Sequence, residues 1–181
     1  ELISDILPPG VLNVITGPGK IGESLVAHPD VRMVTFTGSV PVGKRIAEVA
    51  AKDLTRVSLE LGGNDASIVL ADTDLDKYAE SIFWGAFKNS GQICIASKRL
   101  YIHEDIYEDL LNRLVKIAES VKIGNGLNSE NQMGPVNNLS QLELIEELVA
   151  DAKSNGGKVL CGGKRLPQDG YFYPPTIISN I

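Results

Sequence analysis

Two short stretches of this chain carry side chains that could make or break bonds. In Gly91-Gln92-Ile93-Cys94-Ile95-Ala96-Ser97, a cysteine stands between two isoleucines, behind a Gly-Gln pair. A thiolate is a strong nucleophile where helix ends or hydrogen-bond donors stabilise it. Free cysteine is equally at home as a small buried hydrophobe, and the spacing alone leaves both readings open for Cys94. In Ser58-Leu59-Glu60-Leu61-Gly62-Gly63, a carboxylate closes an apolar strand. Glutamate is seldom buried unless paired or functional. A carboxylate withdrawn from water holds its proton more readily, which suits a general base near neutrality. The plainer reading of Glu60 is a strand end already in solvent. Cys161 has no polar neighbour of interest and reads as filler.

Two glycine turns could hold an anion. Gly17-Pro18-Gly19-Lys20-Ile21-Gly22 matches G-x-G-x-x-G behind an apolar run, the pattern whose glycines let backbone approach a pyrophosphate. Pro18 removes one donor from that turn. The acidic residue expected about 20 positions on is absent, because that place reads Thr35 to Ser39. A simple strand-to-helix turn explains the same residues. Gly38-Ser39-Val40-Pro41-Val42-Gly43 is the better phosphate candidate. There a strand ends at Thr37 and a helix opens, so that backbone N–H groups and the Ser39 hydroxyl point where an anion would lie. Gly43 is expected to keep the first turn of that helix clear of a side chain.

These residues need elements to place them. Val11–Ile15 reads as a short strand and Ser24–Val26 as part of a short helix. Val31–Thr37 is β-branched and aromatic, as buried strands are. Ser39 is an expected N-cap with Pro41 in the first turn, and Ile46, Val49 and Ala50 give the helix an apolar face. Arg56–Leu61 and Ser67–Leu70 read as strands. Asp74 caps a helix to about Asn89, with Tyr78, Ile82, Phe83, Ala86 and Phe87 expected on its inner side. Arg99–His103 reads as a strand, and Leu110, Leu111, Leu114, Val115 and Ala118 mark an amphipathic helix. After a polar loop, Gly124–Pro135, a capping box at Ser140–Glu143 opens a helix that stops at Gly156-Gly157. Val159–Cys161 and Tyr173–Ile178 supply late strands. Alternating strand and helix imply an α/β fold with parallel-rich sheets and crossover helices.

Bulk properties narrow the function classes. With 43% apolar residues in 181, the chain can bury a core. A net charge of -6 argues against a nucleic-acid surface, which needs a basic stripe. No apolar run approaches the roughly 20 residues that span a bilayer. Two cysteines and two histidines, far apart in sequence, make neither a disulfide framework nor a metal site, and no C-x-x-C marks a thiol-redox protein. A reducing, cytoplasmic compartment is expected. The chain starts at Glu1, not Met, as an excerpted or processed chain would.

Taken together and in this order, FTGSVPVG (Phe36–Gly43), LELGGN (Leu59–Asn64) and GQICIA (Gly91–Ala96) resemble the aldehyde dehydrogenase superfamily. PPGVLNVITGPG, IGNGLNSENQMGPV and YFYPPTI extend the resemblance over nearly the whole chain. It implies a three-layer α/β fold, with residues 1–61 as the C-terminal half of a Rossmann-type dinucleotide domain and residues 62–181 as the N-terminal part of the catalytic domain. The chain would then be the middle of a longer enzyme. The resemblance implies that Cys94 attacks an aldehyde and carries a thioester, that its backbone N–H helps hold the oxyanion, and that Glu60 activates the water that releases an acid. The branch of the superfamily that uses coenzyme A as acceptor typically lacks that glutamate, so Glu60 implies water. NAD or NADP would contact Gly17, Pro18, Gly38, Ser39, Gly43, Leu61 and Gly62. Gln92 and Lys98-Arg99 would be scaffold, Phe87 and Ile93 would lie near the aldehyde, and the parent would be a homodimer or homotetramer. The alternative is a non-catalytic fragment or nucleotide-binding module that keeps the fold.

Overall fold

The structure is a computed structural model that describes residues 5–181. The chain divides into two compact units, Glu1–Gly62 and Gly63–Ile181.

In the first unit, helix α1 (Gly19–Val26) is followed by strand β1 (Met33–Gly38), helix α2 (Val40–Ala50) and strand β2 (Arg56–Leu61). The two strands pair in parallel, from Met33 opposite Arg56 to Gly38 opposite Leu61. Parallel neighbours need a crossover, and α2 supplies it. A 3₁₀ turn at Ala51–Asp53 and a left-handed Leu54 then return the chain to β2. Side chains alternate across a strand, so Phe36, Leu59 and Leu61 share one half-buried face, while Thr35, Thr37 and Glu60 stand exposed on the other. Helix α2 packs on the apolar face through Gly43, Ile46 and Ala50, which are buried at spacings of three and four. Val11–Ile15, expected as a strand, forms none. No strand pairs with it among the described residues, and an unpaired run cannot satisfy a ladder. Its apolar side chains stand in solvent instead, Val14 at 79% exposure.

The second unit repeats the motif. Strand β3 (Asp65–Val69), helix α3 (Leu75–Phe87) and strand β4 (Ser97–Ile102) form another parallel β–α–β. Helix α4 (Tyr107–Ser120) and helix α5 (Leu139–Ser154) follow, and strands β5 (Lys158–Cys161) and β6 (Ile177–Ser179) pair antiparallel. The expected strand from Tyr173 shortens to β6, because Pro174 and Pro175 have no N–H for a ladder. The main core joins Leu75, Ala79 and Phe83 of α3 to Leu110, Leu114 and Ala118 of α4, beneath Val69. Tyr78, expected inside, is 43% exposed. The buried stripe of α3 runs i, i+4, i+8 from Leu75, which turns Tyr78 outward. Arg113 ties the two helices by reaching both Asp76 (2.6 Å) and Asp109 (2.8 Å). These partners hold its guanidinium charged well above the usual range and hold the Asp109 carboxyl below its own. A second cluster packs Leu142 and Val149 of α5 with Val136 and Tyr173. Helix α5 starts earlier than the expected capping box. Asn138 is its N-cap, accepting from the Gln141 N–H (3.0 Å) and from the Ser140 hydroxyl (2.7 Å).

Candidate active site

Cys94 owes its position to the way α3 ends. Past Phe87 the chain enters the left-handed region at three consecutive residues: Asn89 (φ 53°), Ser90 (φ 56°) and Gly91 (φ 70°). Glycine adopts this freely, but a residue with a Cβ does so at about 1–2 kcal/mol, so surrounding contacts must hold Asn89 and Ser90 there. They do so through hydrogen bonds to a loop more than forty residues on. The Ser90 hydroxyl donates to the Gly134 carbonyl (2.9 Å). The Gln92 amide nitrogen donates to the carbonyls of Asn89 (3.2 Å) and Pro135 (3.4 Å), and its oxygen accepts from the Asn137 N–H (2.8 Å). The Asn89 amide returns a bond to the Gln92 carbonyl (3.2 Å).

Cys94 then lies in a tight turn that the Ala96 N–H closes onto the Ile93 carbonyl (3.1 Å). Ala96, 3% exposed, anchors the far side, and the Lys98 ammonium donates to the same Ile93 carbonyl (3.4 Å). Gly63 runs beside the turn, where a Cβ would lie 3.6 Å from the Cys94 carbonyl oxygen. The Arg99 guanidinium fixes that neighbouring segment by donating to the Asn64 carbonyl (2.9 Å). The thiol of Cys94 is exposed at the tip. Its N–H donates to no group among the described residues, which leaves it able to bind an oxyanion. Of the two side chains expected near an aldehyde, Ile93 is half-buried beside the turn, whereas Phe87 packs into the core 4.7 Å from the Phe83 ring.

Cys161 is the opposite case. It is half-buried at the end of β5, packed against the α3–α4 core, with its sulfur 3.8 Å from the Pro175 carbonyl. Burial pushes its thiol up from the ordinary value, so it stays protonated.

In the first unit, Gly38, Ser39, Leu61 and Gly62 lie at the carboxyl ends of β1 and β2, where open parallel sheets bind ligands, with Gly43 one turn into α2, while Gly17 and Pro18 precede α1. The Gly62 N–H donates to the Gly38 carbonyl (3.2 Å), joining the two strand ends. Ser39 occupies the N-cap of α2 but makes no capping bond with its hydroxyl. The first in-helix bond runs from the Gly43 N–H to the Ser39 carbonyl (2.9 Å). Pro41 has no N–H, so Val40 and Val42 carry the orphan donors of this end. Uncapped donors beside a free hydroxyl fit one phosphate of a dinucleotide.

Three expectations need correcting. Gly43 was expected to clear the outer face of the first turn. It faces the sheet instead, where a Cβ would come within 2.6 Å of a Leu61 methyl, so its smallness lets α2 close on β2. Gly19 and Gly22 have open space where a Cβ would stand, so of the three glycines in the first turn only Gly17 is closely approached, by the Ile21 side chain. Pro18 there serves as the N-cap of α1. Finally, Glu60 is exposed. It lies on the polar face beside Thr37, away from the helix that covers Leu59 and Leu61.

Gln92, expected as scaffold, does brace the turn, but the part of Ser90 and the loop they both reach have no signal in the sequence, and neither does the hydroxyl face of Thr35, Thr37 and Ser58 around Glu60. Among the described residues, no three His, Cys, Asp or Glu side chains gather as a metal site, and no helix is long and apolar enough to cross a membrane.

Two β–α–β units, one with uncapped donors at a helix start and one presenting an exposed thiol on a braced turn, lie within the described chain. The chain belongs to the aldehyde dehydrogenase family, whose model matches residues 1–181. It is 46% identical over 179 residues to a probable aldehyde dehydrogenase of Pseudomonas sp, covering 99% of this chain and 37% of that protein. It is 42% identical to the D-glyceraldehyde dehydrogenase (NADP(+)) of Picrophilus torridus, covering 97% of this chain and 36% of that one. Its fold matches the NAD+ complex of an aldehyde dehydrogenase from Bacillus cereus with a TM-score of 0.88 at 37% identity, over 91% of this chain and 34% of that one. The chain thus spans little more than a third of the length of these relatives.

Proposed function

We propose that the whole protein carrying this chain oxidises an aldehyde to a carboxylic acid with NAD or NADP. The Cys94 thiolate attacks the carbonyl carbon to give a thiohemiacetal oxyanion, which the Cys94 N–H helps to hold. The bound nicotinamide supplies the hydride acceptor. Loss of the aldehyde hydrogen as hydride leaves a thioester on Cys94. Glu60 takes a proton from water, the resulting hydroxide adds to the thioester, and the acid departs as the thiolate is restored. Val40, Val42 and Ser39 bind a phosphate of the cofactor, with Gly38, Leu61 and Gly62 shaping the strand ends and Gly43 setting the approach of α2. Gly17 and Pro18 lie towards the adenosine side. Residues 1–61 then belong to the cofactor domain and residues 62–181 to the thiol domain. The parent works as a homo-oligomer in the cytoplasm, where both thiols stay reduced.

The observation that carries this reading is the exposed Cys94 on a turn braced by side chains, in a chain similar to the aldehyde dehydrogenases named above. The test is aldehyde-dependent reduction of NAD and of NADP by the whole protein, with one acid formed per cofactor reduced. Cofactor reduction without acid, or acyl transfer only to an added thiol, contradicts it.

A further inference from the structure

We infer that Ser90 and Gln92 are positioning residues for the Cys94 thiol, acting as a clasp that holds the nucleophile's turn against the 134–137 loop. The inference rests on Cys94 being the nucleophile and goes beyond it. Three observations within one unit carry it. The backbone from Asn89 to Gly91 is left-handed at three successive residues, a conformation that needs outside support. The support comes from two side chains bonding to three positions of one distant loop: Gly134, Pro135 and Asn137. The turn that presents Cys94 begins one residue after Gln92, so any relaxation of the clasp moves the sulfur. Gln92 is also the one member that both donates to and accepts from its surroundings, which a carboxylate or a thioether cannot reproduce. A displacement of about 1 Å at a reacting atom costs about a hundredfold in rate.

The test uses the whole protein and three variants: Gln92→Met, Gln92→Glu and Ser90→Ala. Two readouts are compared, the split of kcat from aldehyde KM and the rate of iodoacetamide labelling at Cys94, with Cys161 labelling as an internal reference for the fold. Gln92→Met is expected to lower kcat by about tenfold to a hundredfold, with KM within about twofold, and to change the Cys94 labelling rate. Cys161 labelling should stay as in the parent. Gln92→Glu keeps the acceptor for the Asn137 N–H and should recover part of the loss, whereas a merely space-filling role would favour Met. Ser90→Ala should follow Gln92→Met at a smaller size and carries the test if Gln92→Met does not fold. Unchanged kcat and Cys94 labelling in Gln92→Met and Ser90→Ala overturn the inference. So does a rise in Cys161 labelling that parallels the loss in kcat, because that marks general loosening. If Cys94→Ala keeps full turnover, the nucleophile assignment fails instead, and that outcome is read separately from the clasp variants.

Discussion

The two cysteines of this chain have the same chemistry and opposite surroundings. Cys94 stands in solvent on a turn whose backbone is braced by Gln92, Ser90 and Lys98. Cys161 ends a strand, packs against the α3–α4 core, and is held protonated by burial. The first follows a costly left-handed backbone at Asn89 and Ser90 and exposes its thiol, while the second hides its thiol in packing. Strain kept in place by several side chains motivates a functional hypothesis, whereas burial of a thiol is the ordinary outcome of packing.

That contrast can be broken most strongly by removing each sulfur in turn. Cys94→Ala is expected to lower aldehyde turnover at least about a thousandfold, because a catalytic nucleophile has no substitute. Cys161→Ala should leave turnover within about twofold, since small changes away from a site act on stability. Steady-state assays of the two variants side by side check this, and equal losses would erase the distinction. Glu60→Gln sharpens the comparison next. Deacylation should slow by about a hundredfold or more, while the first turnover survives as a burst of reduced cofactor. Loss of burst and turnover together would make Glu60 a positioning group.

Smaller effects test how the first unit is packed. Gly43→Val drives a side chain into Leu61 and is expected to cost about 1–3 kcal/mol. Gly22→Ala fills open space inside α1 and should gain about 0.5–1 kcal/mol. Denaturant midpoints of the whole protein report both, and an unchanged or raised midpoint in Gly43→Val would refute the packing role of Gly43. The smallest effect is on pH. The Cys161 thiol is raised in the folded state. Its contribution to stability is therefore fully present below the ordinary cysteine value of 9.0 and is lost as pH rises through the raised one. Tyr173 adds in the same direction above 10.0. Stability should fall on going alkaline, and Cys161→Ala should make that fall shallower.

Much of this was legible before the structure. The apolar periods of α3 and α4 mark their positions, and Asp74 accepts from the Lys77 N–H as an N-cap should. The bounds of β2 match the expected Arg56–Leu61. Other features were not, for physical reasons. Val11–Ile15 has strand composition, but a strand is made by its partner. Glu60 lies between two leucines, yet the period of two turns it to the other face from both. The left-handed run at Asn89 and Ser90 has no strong signature, since only Asn is somewhat favoured there. The bonds that hold it reach a loop whose nearness no local pattern announces.

The most direct measurement is to trap the acyl group. The Glu60→Gln variant of the whole protein, mixed with aldehyde and oxidised cofactor and quenched in acid within one turnover, should carry the acyl mass on the peptide containing Cys94, in step with the burst. A burst with no adduct, or an adduct on Cys161, would contradict the assignment of Cys94 as the nucleophile.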